Sequence, residues 1–132
     1  MRPRIRKMRI ITKSGRIILE EDLSSKTEDT HDIDTIIDLL RLVSNESRYK
    51  IIRIIAEKQA ISFTELHQLA GYSQKTIAQA LDDLLRIKAI SKEYEGYMLS
   101  IIGKLLLSKL MEIASIINKV KELQDLELDF DL

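Results

Sequence analysis

The sequence predicts a mainly helical α+β fold with a small β component, and three observations support this prediction. The 132 residues include one proline and four glycines, a scarcity that favours long regular elements over loop-rich β architecture. Apolar residues recur at helical spacing through most of the chain from Asp34 onward. Two short β-like runs, 89–94 and 97–101, flank a Glu95-Gly96 turn signal. This length suits one domain with extensions.

Charge is distributed unevenly, although the formal net charge is zero. Residues 1–19 carry seven basic and no acidic side chains, whereas residues 122–132 carry five acidic and no basic ones. Residues 20–34 are also acidic, with seven acids against one lysine. The region between them has thirteen basic residues against nine acidic ones. The balanced total therefore does not argue against a nucleic-acid partner.

Residues 1–33 are interpreted as a basic arm, a possible β-hairpin and an acidic linker. The β-rich runs 9–12 and 17–19 flank a four-residue connection that contains Gly15, which is a normal hairpin signal. Residues 20–32 show no apolar periodicity, so we expect a linker there. Acidic residues 125–132 are expected to form a frayed tail.

The basic arm has two interpretations. A flexible basic segment adds sequence-independent affinity for DNA through counterion release and can enter the minor groove. The alternative is a solvated terminus that contacts the acidic linker. The arginines concerned are Arg2, Arg4 and Arg6.

Two amphipathic helices are predicted where the helical periodicity begins. Ile33, Ile36 and Ile37 have the three-to-four spacing of one helix face, in a helix that ends near Val43. Asn45 is a good N-cap residue, so a second helix is expected to begin directly after it.

A helix-turn-helix is predicted next. Ser62-Phe63-Thr64-Glu65 matches a capping box at the start of a third helix, which Gly71 can end in a left-handed conformation. Ser73 can cap a fourth helix, and the hairpin at 89–101 follows that helix. This order of elements predicts a winged helix-turn-helix domain over residues 34–101, because the short turn projects the last helix toward a DNA major groove.

Two segments carry a resemblance to a known family. Residues 39–57 read LLRLVSNESRYKIIRIIAE, and residues 62–90 read SFTELHQLAGYSQKTIAQALDDLLRIKAI. These segments resemble ArsR-like and MarR-like winged-helix transcription regulators, particularly archaeal ones, over residues 35–121. The resemblance implies sequence-specific binding of double-stranded DNA by a cytoplasmic homodimer that represses transcription. Abundant isoleucine and charges of both signs also resemble thermophile composition.

The resemblance implies that the helix beginning at Ser73 is the recognition helix. Glutamine can pair with adenine edges, lysine with guanine or phosphate, and threonine with thymine methyl groups. Asp82 and Asp83, which follow, would repel phosphate. Arg48 is left as either a structural or a phosphate-contacting residue. The implied DNA-binding residues are Ser73, Gln74, Lys75, Thr76, Gln79, Arg48 and, on the wing, Lys92, Tyr94 and Tyr97.

The final helix, predicted over residues 102–124, shows heptad spacing typical of a helix pairing surface. A second apolar face lies beside it, so one face can pack on the domain and the other requires a partner, most simply a second copy. The alternative is that both faces pack within one chain. The predicted dimer residues are Leu106, Leu110, Ile113, Ile117 and Val120.

Several functional classes are not supported by the sequence. Cysteine is absent, and the two histidines, His31 and His67, have no metal-ligand spacing, so no metal or cofactor is expected. No catalytic motif, signal peptide or membrane span is recognised, which favours a cytoplasmic protein that is not an enzyme. Two alternatives stay open. One is a winged-helix protein-interaction module that uses Asp82, Asp83 and the acidic tail, and the other is an architectural DNA binder that uses the basic arm.

Overall fold

The computed structural model describes residues 7–22, 30–123 and 126–131, and it has the predicted mainly helical α+β architecture. The chain divides into two compact units, here called the helical unit (Thr30–Met111) and the sheet unit (Met1–Asp29 with Glu112–Leu132). The elements are β1 (Lys7–Thr12), β2 (Ile17–Asp22), α1 (Thr30–Val43), α2 (Glu46–Lys58), α3 (Phe63–Ala70), α4 (Gln74–Arg86), β3 (Ile90–Glu93), β4 (Gly96–Leu99), α5 (Ile101–Glu122) and β5 (Leu126–Asp131).

The core of the helical unit lies where α2, α3 and α4 meet. Each helix contributes apolar residues three or four positions apart, which places them on one face. The largest fully buried side chains are those of Ile51, Ile55, Ile61, Leu66, Ile77, Leu81 and Leu84. This packing leaves the opposite face of α4 toward solvent.

The helix starts agree with the predicted capping residues. The Asn45 side chain accepts a hydrogen bond from the backbone N–H of Arg48 at 3.1 Å and so caps α2. Ser62 caps α3, and Ser73 caps α4 by accepting from the Thr76 N–H at 3.2 Å. Each such cap contributes about 1 kcal/mol to stability.

The predicted wing is present as the antiparallel pair β3 and β4. Ile61 joins this pair through two backbone hydrogen bonds with Tyr97, of 3.0 and 2.8 Å. Gly96 has a φ of 123°, and a Cβ at this position would lie 2.4 Å from the Ile61 carbonyl oxygen. Glycine is therefore required both for the backbone conformation and for the close approach of Ile61.

The first turn of α5 is held against the end of α4 by a second close approach. The Ser100 hydroxyl donates to the Lys88 carbonyl and accepts from the Gly103 N–H at 3.1 Å. A Cβ at Gly103 would lie 2.1 Å from the Ala89 carbonyl oxygen. The absence of a side chain at this position allows the first turn of α5 to lie against the backbone of Ala89.

The sheet unit contains the predicted N-terminal hairpin, with the strand order β2-β1-β5. The strands are antiparallel, and Arg9 is paired in register with Glu20 on one side and Asp129 on the other. Lys7 forms an ion pair with Glu20 at 3.1 Å. Arg2, Arg4 and Arg6 lie outside the described residues.

Two boundary expectations are wrong. The acidic residues near the C-terminus are not a frayed tail, since 126–131 form β5 and pair with β1. Their sequence, LELDFD, alternates apolar and acidic residues with the period of a strand, although its charge suggests a solvated tail. The acidic linker is also shorter than expected, because β2 continues to Asp22 and α1 begins at Thr30.

We predict that Gly96→Ala lowers the free energy of unfolding by about 2 kcal/mol or more, because alanine is strained at this φ and its Cβ meets the Ile61 backbone. Denaturant titration followed by circular dichroism measures the change. Gly71→Ala is the matched control, because Gly71 also has a positive φ (77°), but a Cβ added there would have no neighbour within 4 Å. Equal losses in the two variants would show that the Ile61 contact contributes nothing.

Candidate nucleic-acid interface

Helix α4 presents its N-terminal half to solvent. Ile77, Leu81 and Leu84 hold the opposite face in the core. Four of the five residues predicted on and before this helix are exposed, and Thr76 is half-buried. The structure therefore brings together on one accessible surface the side chains of Ser73, Gln74, Lys75, Thr76 and Gln79.

The buried carboxylate of Asp83 lies at the base of this surface and binds three neighbouring side chains. Asp83 is only 7% exposed, and its Oδ1 accepts hydrogen bonds from Arg86 Nη2 at 3.0 Å and from Gln79 Nε2 at 3.2 Å. Its Oδ2 accepts from Arg48 Nη1 at 3.3 Å. The expectation that Asp83 joins Asp82 in an acidic surface is wrong, because three neighbouring side chains cover the Asp83 carboxylate, whereas Asp82 is exposed.

Arg48 connects three helices. Its Nε donates to the carbonyl of Leu42 near the end of α1, while Nη1 reaches Asp83 on α4. Arg48 itself lies in the first turn of α2. These contacts give the arginine a structural role, one of the two possibilities that its sequence position left open.

A shallow cavity of about 250 Å³ opens between the N-terminal ends of α2 and α4. Backbone N–H groups at helix starts and the helix dipole favour anionic groups, as does a nearby lysine. The geometry therefore suits a phosphate oxygen at the edge of α4. The cavity is lined by Asn45, Ser47, Arg48, Lys75, Thr76, Gln79, Ala80 and Asp83.

Asn45 and Ser47 are residues of this surface that sequence reasoning missed. The sequence predicts Asn45 only as a helix cap, but its side chain also accepts a hydrogen bond from the Ser47 hydroxyl, at 2.5 Å. Both residues line the cavity where α2 packs against α4, and the ion pair between Arg48 and Asp83 joins the two helices there. Arg48 and Asp83 are 35 positions apart in the chain, so no local sequence signal predicts their contact.

The three predicted wing residues differ in their surroundings. Tyr94 is fully exposed at the tip of the hairpin. The ring of Tyr97 is half-buried and packs against the core, and the Lys92 ammonium lies 5.4 Å from its centroid. Lys92 and Tyr94 are thus accessible to a partner, whereas Tyr97 supports the wing and orients the lysine.

The predicted dimer residues of α5 fall into two groups. Leu106 and Leu110 are half-buried, and Leu106 packs against the core of its own chain. The other three are exposed: Ile113, Ile117 and Val120. Leu106 therefore packs within its own chain, as the alternative predicts, whereas the apolar side chains of the later turns are exposed.

Helix α1 carries further exposed isoleucines, which the sequence does not assign to an interface. Ile33, Ile36 and Ile37 are each between 45% and 48% exposed. Their spacing predicts an amphipathic helix, but the direction of the apolar face depends on tertiary packing.

Other chemical sites are not found within the described ranges. Residues 7–22, 30–123 and 126–131 contain no group of three potential metal-ligating side chains. No described helix is both long and apolar enough to cross a membrane. His67 is half-buried on α3, and His31 lies in the first turn of α1.

Comparisons with known proteins identify the fold. No family model and no curated protein matches this sequence. Reduced HlyU from Vibrio cholerae matches with a TM-score of 0.55 and 24% identity, covering 64% of this chain and 93% of HlyU. The activation domain of the phage T4 transcription factor MotA matches with a TM-score of 0.55 and 15% identity, covering 68% of this chain and 99% of that domain. The likeness shows an α+β winged-helix fold.

We predict that Asp83→Ala lowers the free energy of unfolding by about 2 kcal/mol, because it leaves the Arg48 guanidinium half-buried without its carboxylate. Thermal and denaturant unfolding measure the change. The adjacent Asp82→Ala is the matched control and is expected to stay within about 0.5 kcal/mol of the parent, since Asp82 is exposed. Similar stabilities for the two variants would contradict the anchoring role of Asp83.

Proposed function

We propose that the protein is a cytoplasmic regulator of transcription that binds double-stranded DNA as a homodimer and reads sequence with α4. The observation that carries the proposal is the exposed polar surface of α4. The buried Asp83 of the same helix supports this surface through its contacts with Gln79, Arg86 and Arg48. A recognition helix must project side chains into the major groove without bending, because each base contact requires defined geometry. The caps and the buried face of α4 meet that requirement.

Gln79 has the best-defined geometry for reading a base edge. Its amide nitrogen donates to Asp83, which orients the side chain. The amide oxygen then serves as an acceptor, which suits the exocyclic amino groups of adenine or cytosine in the major groove. Gln74 and Lys75 lie one turn earlier and are exposed to an approaching duplex.

Phosphate contacts would position α4 in the groove. Ser73 and Lys75 lie at the start of the helix, where the dipole and free N–H groups attract an anion. Lys92 and Tyr94 on the wing supply contacts to the adjacent backbone. These contacts carry no sequence information, but they set the register of the protein on the duplex.

Dimerisation would use the exposed apolar residues of the later turns of α5. Ile113, Ile117 and Val120 repeat at steps of four and three, the spacing at which one helix packs along another. A twofold dimer presents two recognition helices to a pseudo-palindromic site. The combined contacts offset the repulsion between Asp82 and phosphate.

A winged-helix module that binds protein is the second candidate function. One observation favours it: the MotA domain that this chain resembles in fold is an activation domain of a transcription factor. Asp82, exposed on the same face of α4 as Lys75, also suits a basic protein surface. DNA binding by α4 distinguishes the two candidates.

We predict that Gln74→Ala with Lys75→Ala weakens binding to the protein's own upstream DNA about 10- to 100-fold, because base and phosphate contacts are lost together. Fluorescence anisotropy at two salt concentrations, with a scrambled duplex beside the upstream one, measures this loss. Gln68→Ala with Lys121→Ala removes the same side-chain types outside α4 and is expected to leave affinity within about twofold. Absence of binding by the parent protein to either duplex would favour the protein-binding candidate.

We predict that Ile113→Glu with Ile117→Glu halves the molecular mass in solution, because two charges cannot be buried in a helix pairing surface. Light scattering after size-exclusion chromatography measures the mass. Ser115→Glu with Asn118→Glu adds the same charge to other exposed positions of α5 and is expected to leave the dimer intact. A parent protein that elutes as a monomer would remove the homodimer from the proposal.

A further inference from the structure

A second cavity, of about 570 Å³, lies within the helical unit between α2, β4 and the first half of α5. Its volume falls in the range of roughly 300–1,000 Å³ found for small-molecule sites. It is separate from the surface formed by α2 and α4. The lining residues are Ile55, Ala56, Gln59, Met98, Leu99, Lys104, Leu107, Ser108 and Met111.

The walls of the cavity are held by contacts elsewhere in the fold. Ile55 is fully buried, and Leu99 is 9% exposed. The Ser100 and Gly103 contacts fix the start of α5, and the Ile61–Tyr97 bridge fixes β4. The apolar wall of the cavity therefore belongs to the packed core, whereas the side chains of Gln59, Lys104 and Ser108 are exposed.

The end of α2 explains why the space is open. The helix ends at Lys58, and Gln59 adopts a φ of 66°, a conformation that L-residues rarely occupy. This turn carries the chain away from α5 so that Ile61 can pair with Tyr97. Ala56, one turn earlier, is too small to fill the gap that is left.

The chemistry of the lining is asymmetric. It includes one cation, Lys104, and no carboxylate. Lys104 and Ser108 are four residues apart on α5, which places the ammonium and the hydroxyl on the same side of the helix. Aliphatic side chains and the thioethers of Met98 and Met111 form the remainder with Gln59, and methionine adapts readily to ligands of different shape.

We propose that this cavity binds a small amphipathic anion, a free monocarboxylate with an apolar body. Its carboxylate contacts the Lys104 ammonium and the Ser108 hydroxyl, and its apolar body lies against Ile55, Leu99 and Leu107. Charge complementarity selects an anion, because an uncharged ligand gains nothing from Lys104 and a cation is repelled by it. Binding at this site requires neither DNA nor a dimer.

The position of the cavity gives such a ligand access to two functional elements. It touches β4 of the wing and the helix that carries the exposed residues Ile113 and Ile117. A bound anion would therefore be able to alter DNA affinity, a consequence that rests on the proposed function. The binding itself is tested separately from DNA.

Titration of the ¹⁵N-labelled full chain with octanoate, followed by amide NMR shifts, tests the proposal. Saturable shifts at Gln59, Leu99 and Ser108 are expected, with octylamine producing none at these residues. Lys104→Met is expected to weaken octanoate binding about fivefold, because the contact with the carboxylate is lost. Lys119→Met, which removes a cation from α5 outside the cavity, is expected to leave the affinity unchanged.

Ser108→Phe tests the volume of the site independently of charge. Ser108 is exposed at the rim, so the variant is expected to fold, which its amide spectrum checks, while the ring occupies the cavity and abolishes the shifts. The proposal is overturned if octanoate causes no saturable shifts at the cavity residues. It is overturned equally if octylamine binds there as well as octanoate, or if Lys104→Met and Lys119→Met bind octanoate alike.

Discussion

The ion pair between Arg48 and Asp83 connects the parts of the helical unit that must keep a fixed geometry. Asp83 belongs to α4, while Arg48 belongs to α2 and also binds the Leu42 carbonyl at the end of α1. Since a half-buried guanidinium and a buried carboxylate are each costly alone, the two groups stabilise only the arrangement in which they meet. The same carboxylate orients Gln79, so one buried charge links the scaffold to the exposed face of α4.

Charge in the sheet unit has a different function from charge on α4. The two basic residues of β1, Lys7 and Arg9, lie in register with acidic residues of both β2 and β5. Opposite charges across strands support pairing and register. The positive charges of Lys7 and Arg9 are therefore matched within the sheet, and the DNA contacts that we propose involve α4 and the wing instead.

Helix α5 combines two kinds of apolar surface along its 22 residues. Gly103 and Leu106 belong to the packed start of the helix, and Leu107 and Met111 border the larger cavity. The later turns expose isoleucines at heptad spacing. A helix with two apolar faces must bury both. In α5, only apolar residues of the first half of the helix, such as Leu106 and Leu107, pack against the core of the helical unit. We propose that the exposed isoleucines of the later turns form the homodimer and that the cavity beside Leu107 and Met111 binds the ligand.

Local sequence signals were sufficient for the elements of the helical unit. Ser62, Gly71 and Ser73 define helix ends through hydrogen bonds and φ preferences that involve only neighbouring residues, so they were readable in the sequence. The alternation that predicts β5 was also present, but its pairing with β1 joins opposite ends of the chain. Tertiary structure alone decided that Asp83 is covered while Asp82 is exposed, and that Ala56 and Gln59 border a cavity. Those outcomes depend on which distant side chains meet, and residue spacing along one helix does not contain that information.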